Sequence, residues 1–216
     1  MRIFSLLLVA IILAVWLVGA VQNFLSGRKE EGWKRWFTFA AAVFLAVGAI
    51  GFFGTFISAM GGLNWLPNSF EWPAGAVNGV VSTKDDYFIV PHTPAGRVQI
   101  YDKNWKFVRG WFVDAGGGTF NLNISETNHI HVITARGKKH YVFDFDGKLL
   151  SQETYSYQSP PTVSPGRSYV VPTPLWLWTF SSPFLSWATA ITGMVVLSKL
   201  STRNKKPADT KQGHNY

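Results

Sequence analysis

The stretch RVQIYDKNWKFVRG, residues 97–110, decides the fold, because its pattern returns 42 residues later as KHYVFDFDGKLLSQ, residues 139–152. Asp102 then falls on Asp144, and the alternating side chains before each aspartate align without a gap. Such alternation on both sides of an Asp-containing turn predicts antiparallel strands. A period of about 40–50 residues with several short strands per unit is typical of propeller blades.

The same alternation extends the strand prediction beyond these two stretches. We expect strands at 87–90, 97–101, 106–112, 129–133, 139–143, from 148 onward, and at 168–172. From apolarity and alternation, the predicted core positions are Val98, Ile100, Val132 and Val142.

The predicted β domain covers residues 61–173, and residues 61–79 form a linker rich in Gly, Pro, Asn and Trp. Its repeat units span about 81–122 and 123–164. Two units are too few to close a ring, so we expect open strand edges. Unpaired backbone groups at such edges invite pairing with another chain. Either the two units fold back as a small sandwich, or another chain covers the edges. We expect the second, with a protein partner or a homo-oligomer.

Three apolar segments predict transmembrane helices, at residues 1–26, 37–60 and 174–199. Each is long enough to span a hydrocarbon core of about 30 Å. In the third segment, Ser182 followed by Pro183 predicts an N-cap and the first helical residue. Within these segments, the apolar runs 3–24, 37–60 and 175–197 contain no Asp, Glu, Lys, Arg or His, which argues against a transporter, pump or channel.

Most of the formal charge of +8 flanks these segments. The net charge is +3 over residues 1–60, +1 over 61–173 and +4 beyond 173. The positive-inside rule then places the basic loop 27–36 and the tail 200–216, predicted to be disordered, in the cytoplasm. We expect a multi-pass protein of the plasma or inner membrane with its N-terminus and residues 61–173 outside. The first segment also fits a cleaved signal peptide, but cleavage would put both basic clusters outside.

Residues 97–102 together with 106–109 resemble the core of an NHL repeat. Residues 114–122, which begin with Asp-Ala-Gly-Gly-Gly, resemble the connector that leads into the next NHL blade. The resemblance covers about residues 80–155, and two units fit it. NHL repeats usually build six-bladed propellers that bind proteins and sometimes other ligands. The resemblance therefore implies a binding module.

Candidate chemistry centres on three histidines. His129 and His131 share a face of one predicted strand, and His140 with Asp144 lies on the next, a set that could bind zinc. The predicted register pairs His131 with Tyr141 and puts His140 on the opposite face, although a slip of one residue would reverse this. We therefore interpret these histidines as surface residues.

Two further motifs have structural interpretations. Asp144 and Asp146 belong to an Asp-Gly turn. Gly116-Gly117-Gly118 lacks the Lys-Ser/Thr of a phosphate loop and is interpreted as a connector. The absence of cysteine excludes disulfides, Cys-ligated zinc and a thiolate nucleophile.

These observations predict a membrane α plus all-β protein with three transmembrane helices and two propeller-like blade repeats between helices two and three. We expect a non-enzymatic accessory or scaffold subunit that uses its β surface for protein interaction. We assign no catalytic, cofactor-binding or metal-binding residue, and no nucleic-acid partner. One alternative is a membrane-tethered sensor of a small ligand or cell-wall component. A second is a metal-dependent enzyme built on the three histidines.

Overall fold

The computed structural model describes residues 2–156 and 166–202. Within these ranges, three helices are long and apolar enough to cross a membrane, namely α1 (Arg2–Gly27), α2 (Trp33–Ala59) and α4 (Pro183–Thr202). The three apolar segments predicted from the sequence are therefore helical. The end of the second repeat unit and residues 203–216 of the predicted tail lie outside the described residues.

Helices α2 and α4 pack at very short distance. A Cβ atom on Gly48 of α2 would lie 2.3 Å from the backbone nitrogen of Ala190, and one on Gly193 of α4 would lie 2.5 Å from the carbonyl oxygen of Ala41. Only small residues permit this backbone contact, which replaces the hydrophobic driving force that is missing in lipid. These two helices form the centre of the helical part.

Helix α1 packs along α2 through aromatic side chains. The rings of Phe24 and Phe39 stack at 4.7 Å, and Trp16 meets Phe53 edge-on at 6.1 Å. Large apolar side chains on the other face of α1 are exposed, as suits contact with lipid.

Helix α2 ends in a Schellman motif. The amides of Gly61 and Gly62 donate to the carbonyls of Ser58 and Ile57, both at 2.8 Å, and Gly61 has the left-handed φ of 86° that this cap requires. From here the chain turns into the β domain. The loop between α1 and α2 lies at the opposite end of the helices, beside Leu197 of α4.

A short helical turn leads from the β domain into α4. It consists of a 3₁₀ turn at Leu175–Leu177 and helix α3 (Trp178–Ser181). Ser182 is extended, and its hydroxyl accepts a hydrogen bond from the amide of Phe184 at 3.3 Å. Pro183 is the first residue of α4, so the predicted N-cap and helix start are confirmed.

Nine strands in the described ranges form two antiparallel sheets. The first has the order β4-β3-β2-β1-β9 and contains β1 (Ala76–Ser82), β2 (Phe88–His92), β3 (Arg97–Tyr101), β4 (Phe107–Phe112) and β9 (Arg167–Val170). The second runs in chain order through β5 (Phe120–Ile124), β6 (Ile130–Thr134), β7 (Lys139–Phe143) and β8 (Leu149–Thr154). The described strands do not close a ring.

The repeat of 42 residues recurs in the hydrogen bonds. Asp102 Oδ1 accepts bonds from the amides two and four residues ahead at 2.8 and 2.9 Å, and Asp144 Oδ1 does the same at 3.0 and 2.8 Å. The hydroxyls of Thr83 and Ser125 each accept a bond from the amide four residues ahead, at 3.1 and 3.0 Å. Strands β2 to β4 and β6 to β8 also start and end 42 residues apart.

The core lies between the inner faces of the two sheets. It contains Val81, Ile89, Val98, Ile100, Trp111, Val113, Ala115, Phe120 and Leu122 from the first unit, and Ile130, Val132, Tyr141 and Phe143 from the second. Three of the four predicted core residues, Val98, Ile100 and Val132, are 0% exposed. The prediction for Val142 was wrong, because this residue is half-buried on the outer face of the second sheet.

Strands β1 and β5 lie where the sequence pattern predicted a linker and a connector. In β1 the alternation is interrupted by Gly79, which has a φ of 81°, and by an irregularity between Val77 and Val80. A bulge of this kind shifts the face of every later side chain and hides the period of two.

The linker covers the other face of the first sheet through hydrogen bonds with side chains of β3. Gln99 Oε1 accepts from the amide of Trp72 at 2.6 Å, and its Nε2 donates to the carbonyl of the same residue at 2.9 Å. The Tyr101 hydroxyl donates to Glu71 Oε1 at 3.0 Å. Burial and the adjacent Glu71 raise the pKa of Tyr101, so this hydroxyl remains a neutral donor.

Arg97 is a charged residue in this interior, with 1% of its surface exposed. Its Nη2 donates to the carbonyls of Phe70 and Gly110 at 3.2 and 3.1 Å. Burial lowers the pKa of Arg97. The side chain thus connects the linker to the edge of the first sheet, where the amide of Gly110 also donates to the carbonyl of Asn68 at 2.8 Å.

Hydrogen bonds of Ser58 and Trp72 attach the β domain to the helical part. The hydroxyl of Ser58 in α2 donates to the carbonyl of Ala95 at 2.7 Å, in a buried position. The indole Nε1 of Trp72 donates to the carbonyl of Phe180 in α3 at 2.9 Å. The turn between β2 and β3 therefore sits directly on the end of α2.

Candidate interaction surface

Strand β8 is the most exposed strand of the β domain. All six of its residues are exposed, including Leu149 and Leu150 at 46% and 47%. It pairs with β7 on one side, and no strand of the described part of the chain pairs with its other side. This edge therefore offers unpaired backbone groups beside two adjacent apolar side chains.

The hydrogen bonds between β7 and β8 show which backbone amides of β8 point away from β7. Tyr155, directly after β8, donates its amide to the carbonyl of Lys138 at 2.9 Å, so this amide points toward β7. Alternate residues of an antiparallel strand have the same direction, so the amides of Ser151 and Glu153 also point toward β7. The amide of Gln152 points away from β7 and is a donor for an added strand.

The outer face of the second sheet, next to this edge, carries polar side chains around Ile133 and Val142. It carries Asn121, Asn123, His131, His140 and Glu153, all exposed or half-buried. Nδ1 of His131 lies 2.9 Å from Nε2 of His140, and the two rings stack at 5.1 Å. Burial and the neighbouring histidines lower the pKa of His131. At neutral pH the ring is uncharged and shares a hydrogen bond with its neighbour.

The predicted register of these strands was wrong by one residue. His131 pairs with Val142 and Val132 with Tyr141, so His131 and His140 lie on the same face. The turn after β6 sets this register, and a change of one residue in turn length exchanges the faces.

The other residues singled out from the sequence have separate partners. The His129 ring lies 3.3 Å from the hydroxyl of Thr127. Asp144 holds its own turn, whereas Asp146 forms an ion pair with Arg109 of the first sheet. Among residues 2–156 and 166–202, no group of three or more His, Asp or Glu is placed to hold a metal ion.

A groove with a volume of about 1050 Å³ lies between the β domain and the ends of α2 and α4. The connector at Gly116–Gly118 lines it, together with the turn between β6 and β7 at residues 135–138. Sequence patterns gave no indication of this groove, because it depends on how the domain sits on the helices. Only the repeat could have indicated that residues 135–138 lie near the helices, because they correspond to the turn at 93–96, which contacts α2.

Fold and surface together define a class: a membrane protein with apolar helices of spanning length and a β-rich domain of two antiparallel sheets. No family model matches the chain, and no curated protein is significantly similar to it. Among solved structures, the chain is similar to that of streptogramin B lyase, which has a propeller-like fold, with 16% identity and a TM-score of 0.35. The match covers 44% of this chain and 31% of the lyase chain. Similarity at this level assigns neither the NHL family nor an activity.

Proposed function

We propose that this chain is a non-enzymatic membrane protein that presents its β domain as an interaction module, as an accessory or scaffold subunit. The partner, a second protein or a second copy of this chain, adds a strand to β8. The exposed edge of β8 carries the proposal, because its six exposed residues combine outward backbone groups with adjacent leucines. In strand addition, main-chain hydrogen bonds supply affinity and side-chain contacts supply specificity.

The polar outer face supports this role, because it continues up to the same edge. His140 is the cross-strand neighbour of Glu153 on β8. A strand added to β8 would place its own side chains beside these two groups. The NHL resemblance of the repeat units also favours a protein-binding module over a catalytic one.

The charge distribution supports an arrangement with the β domain outside the cell. The basic segment 27–36 lies at the end of the helices that is opposite to the β domain. By the positive-inside rule this end faces the cytoplasm of a plasma or inner membrane. The N-terminus and residues 61–173 are then extracytoplasmic.

One pair of substitutions tests the edge. Gln152→Pro removes the outward amide without removing a bond to β7, whereas Gln152→Ala shortens the same side chain and keeps the amide. The full-length protein is purified in mild detergent with its associated proteins, and its mass is measured by mass photometry. The complex or oligomer should persist in Gln152→Ala and decrease about tenfold or more in Gln152→Pro, with equal thermal unfolding of both variants.

Two outcomes would contradict the proposal. One is a wild-type protein that remains monomeric and free of other proteins at all concentrations. The other is a complex that Gln152→Pro retains unchanged, which would place the contact elsewhere on the surface.

A further inference from the structure

The groove between the β domain and the helices has an apolar floor and a roof made by the domain. The floor includes Phe56 in the last turns of α2 and Phe184 at the start of α4, and the roof is formed by residues 116–119 and 135–138. Its volume of about 1050 Å³ is at the upper end of ordinary ligand sites. The groove is therefore large enough for a substantial ligand.

The roof of the groove is basic. Arg136 and Lys138 line it, and no Asp or Glu is among the described lining residues. Arg136 Nη1 donates to the carbonyl of Gly116 at 3.2 Å, and a Cβ on Gly118 would lie 2.8 Å from the Cβ of Arg136. The connector thus fixes the side chain while using one of the five N–H donors of the guanidinium.

The groove lies at the ends of two apolar spans, where lipid headgroups would begin if these helices cross a bilayer. The apolar span of α2 ends at Ala59 and that of α4 begins at Pro183, and both residues line the groove. Phe56 and Phe184 are 45% and 81% exposed. In a bilayer these rings would face acyl chains, while the basic roof would face the headgroup layer.

We propose that the groove binds an anionic phospholipid. Its phosphate would be held by Arg136 and Lys138 through charge-assisted hydrogen bonds, and its acyl chain would lie along Phe56 and Phe184. The positive charges of Arg136 and Lys138 complement a headgroup with net negative charge. This site is separate from the β8 edge and does not depend on a protein partner.

Lipid binding to the full-length protein in detergent can be measured by native mass spectrometry with added phosphatidylglycerol. The test variant is Arg136→Gln combined with Lys138→Asn, since Lys138 has a φ of 51° that Asn tolerates. The matched control is Lys103→Gln with Lys106→Gln, two exposed cations at the far end of β3. A basic residue at a membrane surface contributes roughly fivefold in affinity, so the test variant should bind about 30-fold more weakly and the control like wild type.

Three further measurements distinguish specific phospholipid binding from loss of the fold and from binding of free phosphate. Arg136→Lys keeps the charge and should remain within about threefold of wild type, which distinguishes lost charge from lost fold. Phosphatidylcholine should bind more weakly than phosphatidylglycerol, and inorganic phosphate should not displace the lipid. The proposal is overturned by unchanged affinity in the test variant, by an equal loss in the control, by equal binding of both lipids, or by full displacement with inorganic phosphate.

Discussion

Truncation of Ile100 to alanine should destabilise the β domain by about 2–5 kcal/mol. Ile100 is 0% exposed and lies between the two sheets, in contact with the core of both repeat units. The change deletes three carbon groups, and at about 0.8 kcal/mol per buried group the transfer term alone is about 2.4 kcal/mol. The cavity that remains raises the cost further, because the surrounding strands are fixed by their ladders.

A second pair of variants makes the same change in two environments. Val132→Ala and Val142→Ala each remove two methyl groups from neighbouring strands of the second sheet. Val132 is 0% exposed in the core, whereas Val142 lies half-buried on the outer face. We expect a loss of about 2 kcal/mol for Val132→Ala and less than about 1 kcal/mol for Val142→Ala.

Hydrogen exchange of the full-length protein in nanodiscs measures these losses, with peptides that cover β2, β3 and β6. Because each 1.4 kcal/mol is a factor of ten in the population of the open state, Ile100→Ala should accelerate exchange in these strands by about 30-fold to several thousand-fold. Acceleration below threefold would refute the assignment of Ile100 to the core. Equal acceleration by Val132→Ala and Val142→Ala would refute the observed register.

Three further predictions concern topology, pH and metal. A cysteine introduced at Lys103 of this cysteine-free chain should react with an impermeant maleimide in intact cells, whereas a reporter fused after Tyr216 should be cytoplasmic; protection of the cysteine at position 103 would invert the arrangement. Burial lowers the pKa of His92 to about 4. Below pH 6.5 the unfolded chain therefore takes up a proton that the folded chain does not, and the free energy of unfolding should fall by about 3 kcal/mol in total as the pH falls to 4. Thermal unfolding at pH 7 and 4.5 should show this loss in wild type and little of it in His92→Asn. Zinc should not bind stoichiometrically in calorimetric titrations, and a tight site abolished by His131→Ala would instead support the metal-dependent alternative.

The local pattern of the β domain could be predicted because it depends on neighbours in the sequence. The bounds of β3 and β7 follow from alternation, and the turns at Asp102 and Asp144 follow from the hydrogen bonds that an Asp side chain makes with nearby amides. The apolar helices followed from composition, and the start of α4 followed from Ser182 and Pro183.

The conformation of the turns and the packing of the β domain on the helices could not be predicted in this way. The register of β6 and β7 is set by the conformation of the turn at residues 135–138, where Lys138 adopts a left-handed φ of 51°. The apolar–polar pattern alone did not fix this turn, so Val142 and His140 were placed on the wrong faces. Residues such as Arg136 become candidates for binding only once the domain is seated on the helices.

The attachment of the β domain gives the protein a mechanical property. Ser58 holds the turn between β2 and β3 on α2, Trp72 holds the linker on α3, and Arg97 fastens that linker to the first sheet. In the described part of the chain, these contacts hold the linker in place between the helices and the first sheet. A load applied at β8 would therefore reach α2 and α3 through the core between the two sheets and through these three contacts, rather than being absorbed by a flexible hinge.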